Sequence, residues 1–191
     1  MYGRTKPTTI KPRTSVSHPL MIATLPIGQG AVGLTFCPGK RGDSVFGAPW
    51  KRDLQLDLDS IELWGAAAVV TLVEMHELDL LKVPELGQRI RDRGMHWHHL
   101  PIEDLTPPDQ EFENAWPAVA LKLHQMITQG QRVLFHCRGG RGRAGTVAAC
   151  LLVELGAAPR DAIDRVRAVR PHAIETAAQE RYVLGFRPTA V

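Results

Sequence analysis

Cysteine is scarce in this 191-residue sequence: Cys37, Cys137 and Cys150 form neither the paired spacing of a zinc site nor the even set of a disulfide framework. No apolar run approaches the roughly twenty residues of a membrane-spanning helix, so no stable membrane insertion is expected. Internal repeats and long linkers after residue 20 are also missing, and one domain is the economical reading. The first twenty residues hold no acid at all, against four cations, Arg4, Lys6, Lys11 and Arg13. The whole chain is +3, so everything after that stretch sums to −1. The basic excess belongs to a tail, and no nucleic-acid partner is expected.

What is there is the composition of a soluble globular protein, 44% hydrophobic and 23% charged. Residues 1–19, MYGRTKPTTIKPRTSVSHP, are rich in Thr, Ser, Pro and cations and poor in large apolar groups. Such a segment cannot repay its ordering entropy and is expected to be a disordered tail, leaving residues 20–191 as the folded domain. Pro26 interrupts the apolar run of residues 20–27, which argues against an export or import signal. The expected location is cytoplasmic, where a reactive thiol stays reduced.

Short apolar runs at 66–74, 97–102 and 131–137 predict buried strands. Helical patterns lie between them, at 57–66, at 84–95 and from Thr106 to Gly130, the last opening with a Thr106-x-x-Asp109 capping pattern. Pro117 should kink or split that helix. Three more helices follow the third strand, at 145–156, 159–170 and 173–186. This alternation predicts an α/β fold of three layers, a mostly parallel central sheet flanked by helices.

The decisive stretch is HCRGGRGRAGT, residues 136–146. As an arginine-glycine tract it is too short, since it lies between a strand and a helix. As a nucleotide-binding loop it has Gly140 and Gly145 correctly spaced, but Thr146 stands where the lysine must be. A sulfur-transfer loop would hold its arginine closer to its cysteine. As a phosphate loop around a nucleophilic cysteine, every residue has a use. The strand delivers Cys137, the glycines at 139, 140 and 142 let backbone N–H groups turn inward, and a helix starts near Arg143. The same field favours Cys137 as thiolate. Arg143 offers a planar fork for two phosphate oxygens, and Arg138 and Arg141 add charge. Gly28-x-Gly30-x-x-Gly33 imitates a dinucleotide fingerprint but reads better as a turn between two strands. His96 and His98 share a strand face without an evident third ligand, so neither a metal nor any other cofactor is expected.

His136-Cys137-x-x-Gly140-x-x-Arg143 resembles the signature of the cysteine-dependent tyrosine and dual-specificity phosphatases. From about residue 20 to 187 the chain is similar to the kinase-associated phosphatases, the cyclin-dependent kinase inhibitor 3 family, through HHLPIEDLTPPD, RVLFHCRGGRGRAGTVAACLL and AIETAAQERYVLGF. The resemblance implies hydrolysis of phosphate monoesters on proteins through a cysteinyl phosphate, and a phosphorylated protein, such as a kinase, as partner. It implies that phosphate, sulfate or vanadate binds the loop through residues 138–142 and Ala144, and that His136 organises the loop. A mobile aspartate ahead of a proline is the general acid; Asp104 fits, with Glu103 and Asp109 as alternatives, and Asp109 reads equally as a helix cap. Ala144 stands where most of the family place Ser or Thr, which implies slow breakdown of the phosphoenzyme. Arg138 and Arg141 keep an inositol phosphate or phosphoinositide phosphatase open as an alternative, and Ala144 keeps open a phosphoprotein-binding pseudophosphatase.

Overall fold

The computed structural model describes residues 11–44 and 47–189. A hairpin comes first, β1 (Ala23–Ile27) pairing antiparallel with β2 (Gly30–Phe36). Gly28, at φ 57°, takes the left-handed conformation of the turn, so these glycines serve a hairpin. A short pair outside the main sheet follows, β3 (Arg41–Gly42) and β4 (Trp50–Lys51). The chain then alternates: α1 (Leu54–Trp64), β5 (Ala66–Thr71), α2 (Met75–Leu80), α3 (Leu86–Arg91), β6 (His96–His99), α4 (Gln110–Thr128) and β7 (Arg132–Cys137). It closes with α5 (Gly142–Glu154), α6 (Pro159–Val169) and α7 (Ala177–Gly185).

The main sheet runs β1-β2-β7-β5-β6, parallel everywhere except at the first pair. Side chains alternate between its faces. Gly33 meets Trp64 of α1 on one face, whereas Gly30 meets Ile127 of α4 on the other. Helix α3 joins α1's face through Gly87, which packs on Trp97, and α5, α6 and α7 cluster with α4. These are the three expected layers. All but one of α5's thirteen residues are buried, Arg143 and Thr146 included, and from Val147 to Val153 the sequence is wholly apolar.

The three predicted strands form with shifted ends: β5 stops early at Thr71, β6 starts one residue earlier and stops at His99, and β7 starts at Arg132. Helix α1 starts earlier than its apolar pattern because the Asp53 carboxylate accepts the Gln55 and Leu56 amides. The cap of α4 is Asp109, which accepts the Phe112 N–H at 2.9 Å; Thr106 instead donates to the Glu103 carbonyl, so no capping box forms there. Pro117 leaves α4 continuous, because it stands on the exposed side where the carbonyl it cannot serve meets water.

The disordered tail expected through residue 19 is corrected in its last part. The Arg13 N–H donates to the Pro49 carbonyl and its carbonyl accepts the Lys51 N–H of β4, and the Arg13 guanidinium lies 3.8 Å above the Trp50 ring centre. Ser15 Oγ accepts the Asp53 N–H at 2.9 Å. Residues 1–10, the rest of that expected tail, lie outside the described residues.

Behind this segment Arg52 and Asp57 form a fully buried bidentate pair, with both N···O distances 2.7 Å. Arg52 also donates to the His18 carbonyl, and Asp57 accepts the Gly39 N–H at 2.8 Å. One ion pair thus ties the N-terminal segment, the β2–β3 loop and α1. Removing one member leaves the other charged and unpartnered, so Asp57→Asn is expected to cost about 3–5 kcal/mol in urea unfolding.

Candidate active site

Strand β7 ends at Cys137 in the centre of the sheet, and α5 begins at Gly142. The turn between them passes against β2. Gly140 has φ 69°, and a Cβ there would stand 2.3 Å from the Thr35 carbonyl carbon, so only glycine fits.

In a planar trans peptide, C=O and N–H point opposite ways. Arg170 donates to the carbonyls of Gly139 (3.2 Å) and Gly140 (3.0 Å), gripping the turn from behind. The Gly140 N–H accordingly faces inward and donates to Cys137 Sγ at 3.1 Å. The expectation that Gly142 also turns its amide inward is corrected: this N–H donates to the Glu175 carboxylate at 2.8 Å, because α5 starts here and the loop before α7 brings an acid to its first turn. Arg138, Gly139 and Arg141 lie exposed around the turn.

Arg143, 1% exposed, is surrounded by oxygen. Both Nη atoms donate to the Glu77 carboxylate, Nη1 also reaches the Ile102 carbonyl at 3.0 Å, and Nη2 pairs with Asp104 Oδ1 at 3.0 Å. Nε alone is buried without a partner among the described residues. A buried donor without a partner is one that an incoming oxyanion can satisfy. Burial raises the Glu77 pKa, but the Arg143 hydrogen bonds and charge outweigh burial and hold it below the usual carboxylate range. Asp104 is half-exposed, and its carboxylate also accepts the N–H of Leu105, itself strained at φ 65°. Of the three candidate acids only Asp104 contacts Arg143; Asp109 caps α4 and Glu103 is exposed.

His136, fully buried, shares a 2.7 Å hydrogen bond with the Thr71 hydroxyl, which accepts from Trp97 Nε1 at 2.9 Å. Burial pushes the imidazole pKa down to about 3. The ring is neutral at any ordinary pH and anchors the end of β7.

Residues 55–183 match the family described as "PTP-SAK: Swiss Army Knife protein, DSP-PTPase phosphatase domain". The chain is 32% identical to rat cyclin-dependent kinase inhibitor 3 over 184 residues, 93% of this chain and 83% of that protein. The structure is similar to that of kinase associated phosphatase with its catalytic cysteine replaced by serine, with TM-score 0.75 and 29% identity, covering 86% of this chain and 92% of that one. It is also similar to Tk-PTP in its active form, with TM-score 0.61 and 30% identity over 80% and 88% of the two chains. The chain belongs to the DSP-PTPase phosphatase family.

Within this phosphatase domain the acids Glu77 and Glu175 escaped the sequence, as did Arg170. Glu77 lies on a short helix just past β5, and Glu175 precedes α7. The signal for Glu77 was positional: acids following the C-terminal ends of parallel strands, as Glu77 follows β5 and Asp104 follows β6, face the site that such sheets build there. Thr146, a conceivable substitute for the missing hydroxyl at Ala144, donates to the Gly142 carbonyl at 2.8 Å and is committed to its own helix.

If Glu77 fixes the Arg143 fork, Glu77→Gln loses a charge-assisted contact of about 1.5–3 kcal/mol, and kcat/KM is expected to fall roughly ten- to a hundredfold. Steady-state kinetics on para-nitrophenyl phosphate check this; an unchanged kcat/KM removes Glu77 from the machinery.

Proposed function

We propose that this phosphatase hydrolyses phosphate monoesters on phosphoproteins, with Cys137 as nucleophile, Arg143 as phosphate ligand and Asp104 as acid and base. The observation that carries the reading is a turn in which a loop amide donates to the Cys137 thiol and which leads directly into Arg143, whose buried Nε has no partner among the described residues. Cys137 sulfur attacks phosphorus, the bond to the leaving oxygen breaks, and Asp104 protonates that oxygen. Water then attacks the cysteinyl phosphate, gives its proton to Asp104, and the thiolate leaves with inorganic phosphate released. Arg143 and the loop amides hold the equatorial oxygens throughout. His136, buried and neutral, supports the loop and takes no proton.

The relatives named cyclin-dependent kinase inhibitor 3 and kinase associated phosphatase support a phosphoprotein partner, with a kinase among the candidates. A thiolate nucleophile and three free cysteines support a reducing, cytoplasmic setting. One observation favours a second substrate class: Arg138 and Arg141 are exposed and have no ion-pair partner among the described residues. Unpaired cations at the rim suit inositol phosphates, so rates on phosphoinositides and on phosphotyrosine peptides are to be compared directly.

Vanadate-sensitive hydrolysis of para-nitrophenyl phosphate is expected from the wild type and none from Cys137→Ser. Asp104→Asn should lower kcat by about 10²–10⁴. A wild-type protein inactive across pH 5 to 8 that still binds phosphopeptide would make this a binding module instead.

Ala144 and the engaged Thr146 leave the departing thiolate without a hydroxyl donor. A hydrogen bond to a charged group is worth about 1.5–3 kcal/mol, so Ala144→Ser should speed phosphoenzyme breakdown roughly ten- to a hundredfold. Stopped-flow burst amplitude should shrink as the steady-state rate rises; an unchanged burst and steady state disprove the idea.

A further inference from the structure

Lys40 lies in the β2–β3 loop and is 8% exposed, unusual for a residue whose ammonium is strongly hydrated. The Phe36 and Trp50 rings wall it in, with centres 4.5 and 4.4 Å from Nζ. Nζ donates to the Arg138 carbonyl at 3.2 Å, across 98 positions of sequence. Its own loop is held in place, since the Gly39 N–H is bound by Asp57 of the buried ion pair. The phosphate loop thus has three successive carbonyls gripped from outside, Arg138 by Lys40 and Gly139 and Gly140 by Arg170.

Resting on the phosphatase reading above, we propose that Lys40 is a positioning residue, whose ammonium holds the Arg138–Gly139 peptide carbonyl-outward so that the Gly139 N–H faces a bound oxyanion. The inward Gly140 N–H on Cys137 shows what the same grip achieves one peptide later. Several charged or titratable groups act on Lys40: the Cys37 thiol beyond β2, Cys137 at the end of β7, Arg13 of the N-terminal segment, and Arg52, paired with Asp57. Burial lowers the ammonium pKa to about 8; the two sulfurs oppose that shift and the two guanidiniums add to it. The charge, and the grip with it, is therefore present below pH 8 and lost as pH rises through that value.

The test is calorimetric tungstate binding and para-nitrophenyl phosphate kcat/KM from pH 5.5 to 9.5 for the wild type, Lys40→Arg and Lys40→Met. In the wild type tungstate affinity should decline above pH 8; kcat/KM also needs a protonated acid, so it reports here only that the protein is active. Lys40→Arg keeps its charge throughout, so the alkaline decline in tungstate affinity should vanish while affinity at pH 6.5 is retained. Lys40→Met should bind tungstate about tenfold more weakly at pH 6.5, the loss of one charge-assisted contact behind an amide. An alkaline decline of tungstate affinity that survives in Lys40→Arg overturns the proposal even if Lys40→Met fails to fold, and so does tungstate affinity in a folded Lys40→Met equal to wild type. Wild-type protein that neither binds tungstate nor turns over substrate overturns the phosphatase reading itself, a result distinct from either.

Discussion

A guanidinium can be buried only where its donors find oxygen, and Arg143 imposes that requirement on most of the site. Glu77 must come from α2, the Ile102 carbonyl from the segment after β6, and Asp104 from the exposed turn beyond it. These segments start from two strand ends, β5 and β6, and Arg143 follows a third, β7, so the order of β7, β5 and β6 in the sheet decides whether the arginine can be satisfied at all. Glu77 is the permanent partner, 5% exposed and bidentate. Asp104 is the exchangeable one, half-exposed on a strained turn. A permanent carboxylate fixes the fork, and an exchangeable one can deliver a proton at the same place.

Backbone direction is governed by the same electrostatics. A loop amide faces the thiol only when something holds its carbonyl on the opposite side, and here the holders are cations from distant elements, Arg170 after α6 and Lys40 after β2. These groups never touch the thiol, yet they set the dipoles around it. The neutral His136–Thr71–Trp97 chain does the equivalent for β7 without adding charge. The turn therefore carries Arg138, Arg141 and Arg143, while residues 133–136 of the strand beneath it carry no charge.

Much of this was legible in the sequence because it is local. The strand before Cys137, the glycines and the apolar helix after Arg143 all declare themselves within twenty residues, and the alternation of elements predicted the layers. Asp104 was singled out through resemblance and its neighbouring prolines, and the structure places it on Arg143. Glu77, Glu175, Lys40 and Arg170 were not found, since each acts across 30 or more positions of sequence and looks like an ordinary surface charge in its own segment. The tail boundary failed for a related reason: Arg13 and Ser15 look like tail residues until Trp50 and Asp53 are brought beside them. Gly142 failed because composition permits an inward amide but does not say which acid competes for it.

That competition bears on how the loop handles phosphate. In the proposed reaction Asp104, which pairs with one Nη of Arg143, competes with a phosphate dianion for that donor, while Glu175 keeps the Gly142 amide. Binding is then an exchange of anions at Arg143, and its net free energy is smaller than the number of donors suggests. The same carboxylate is ready to reclaim the donor when phosphate leaves. In that proposal Ala144 acts in the other direction: without a hydroxyl from residue 144 for the departing thiolate, the covalent intermediate has one stabilising contact fewer at the moment it breaks. Retention of phosphate and release of sulfur are then separate properties of one turn, the first set by Asp104 and the second by residue 144.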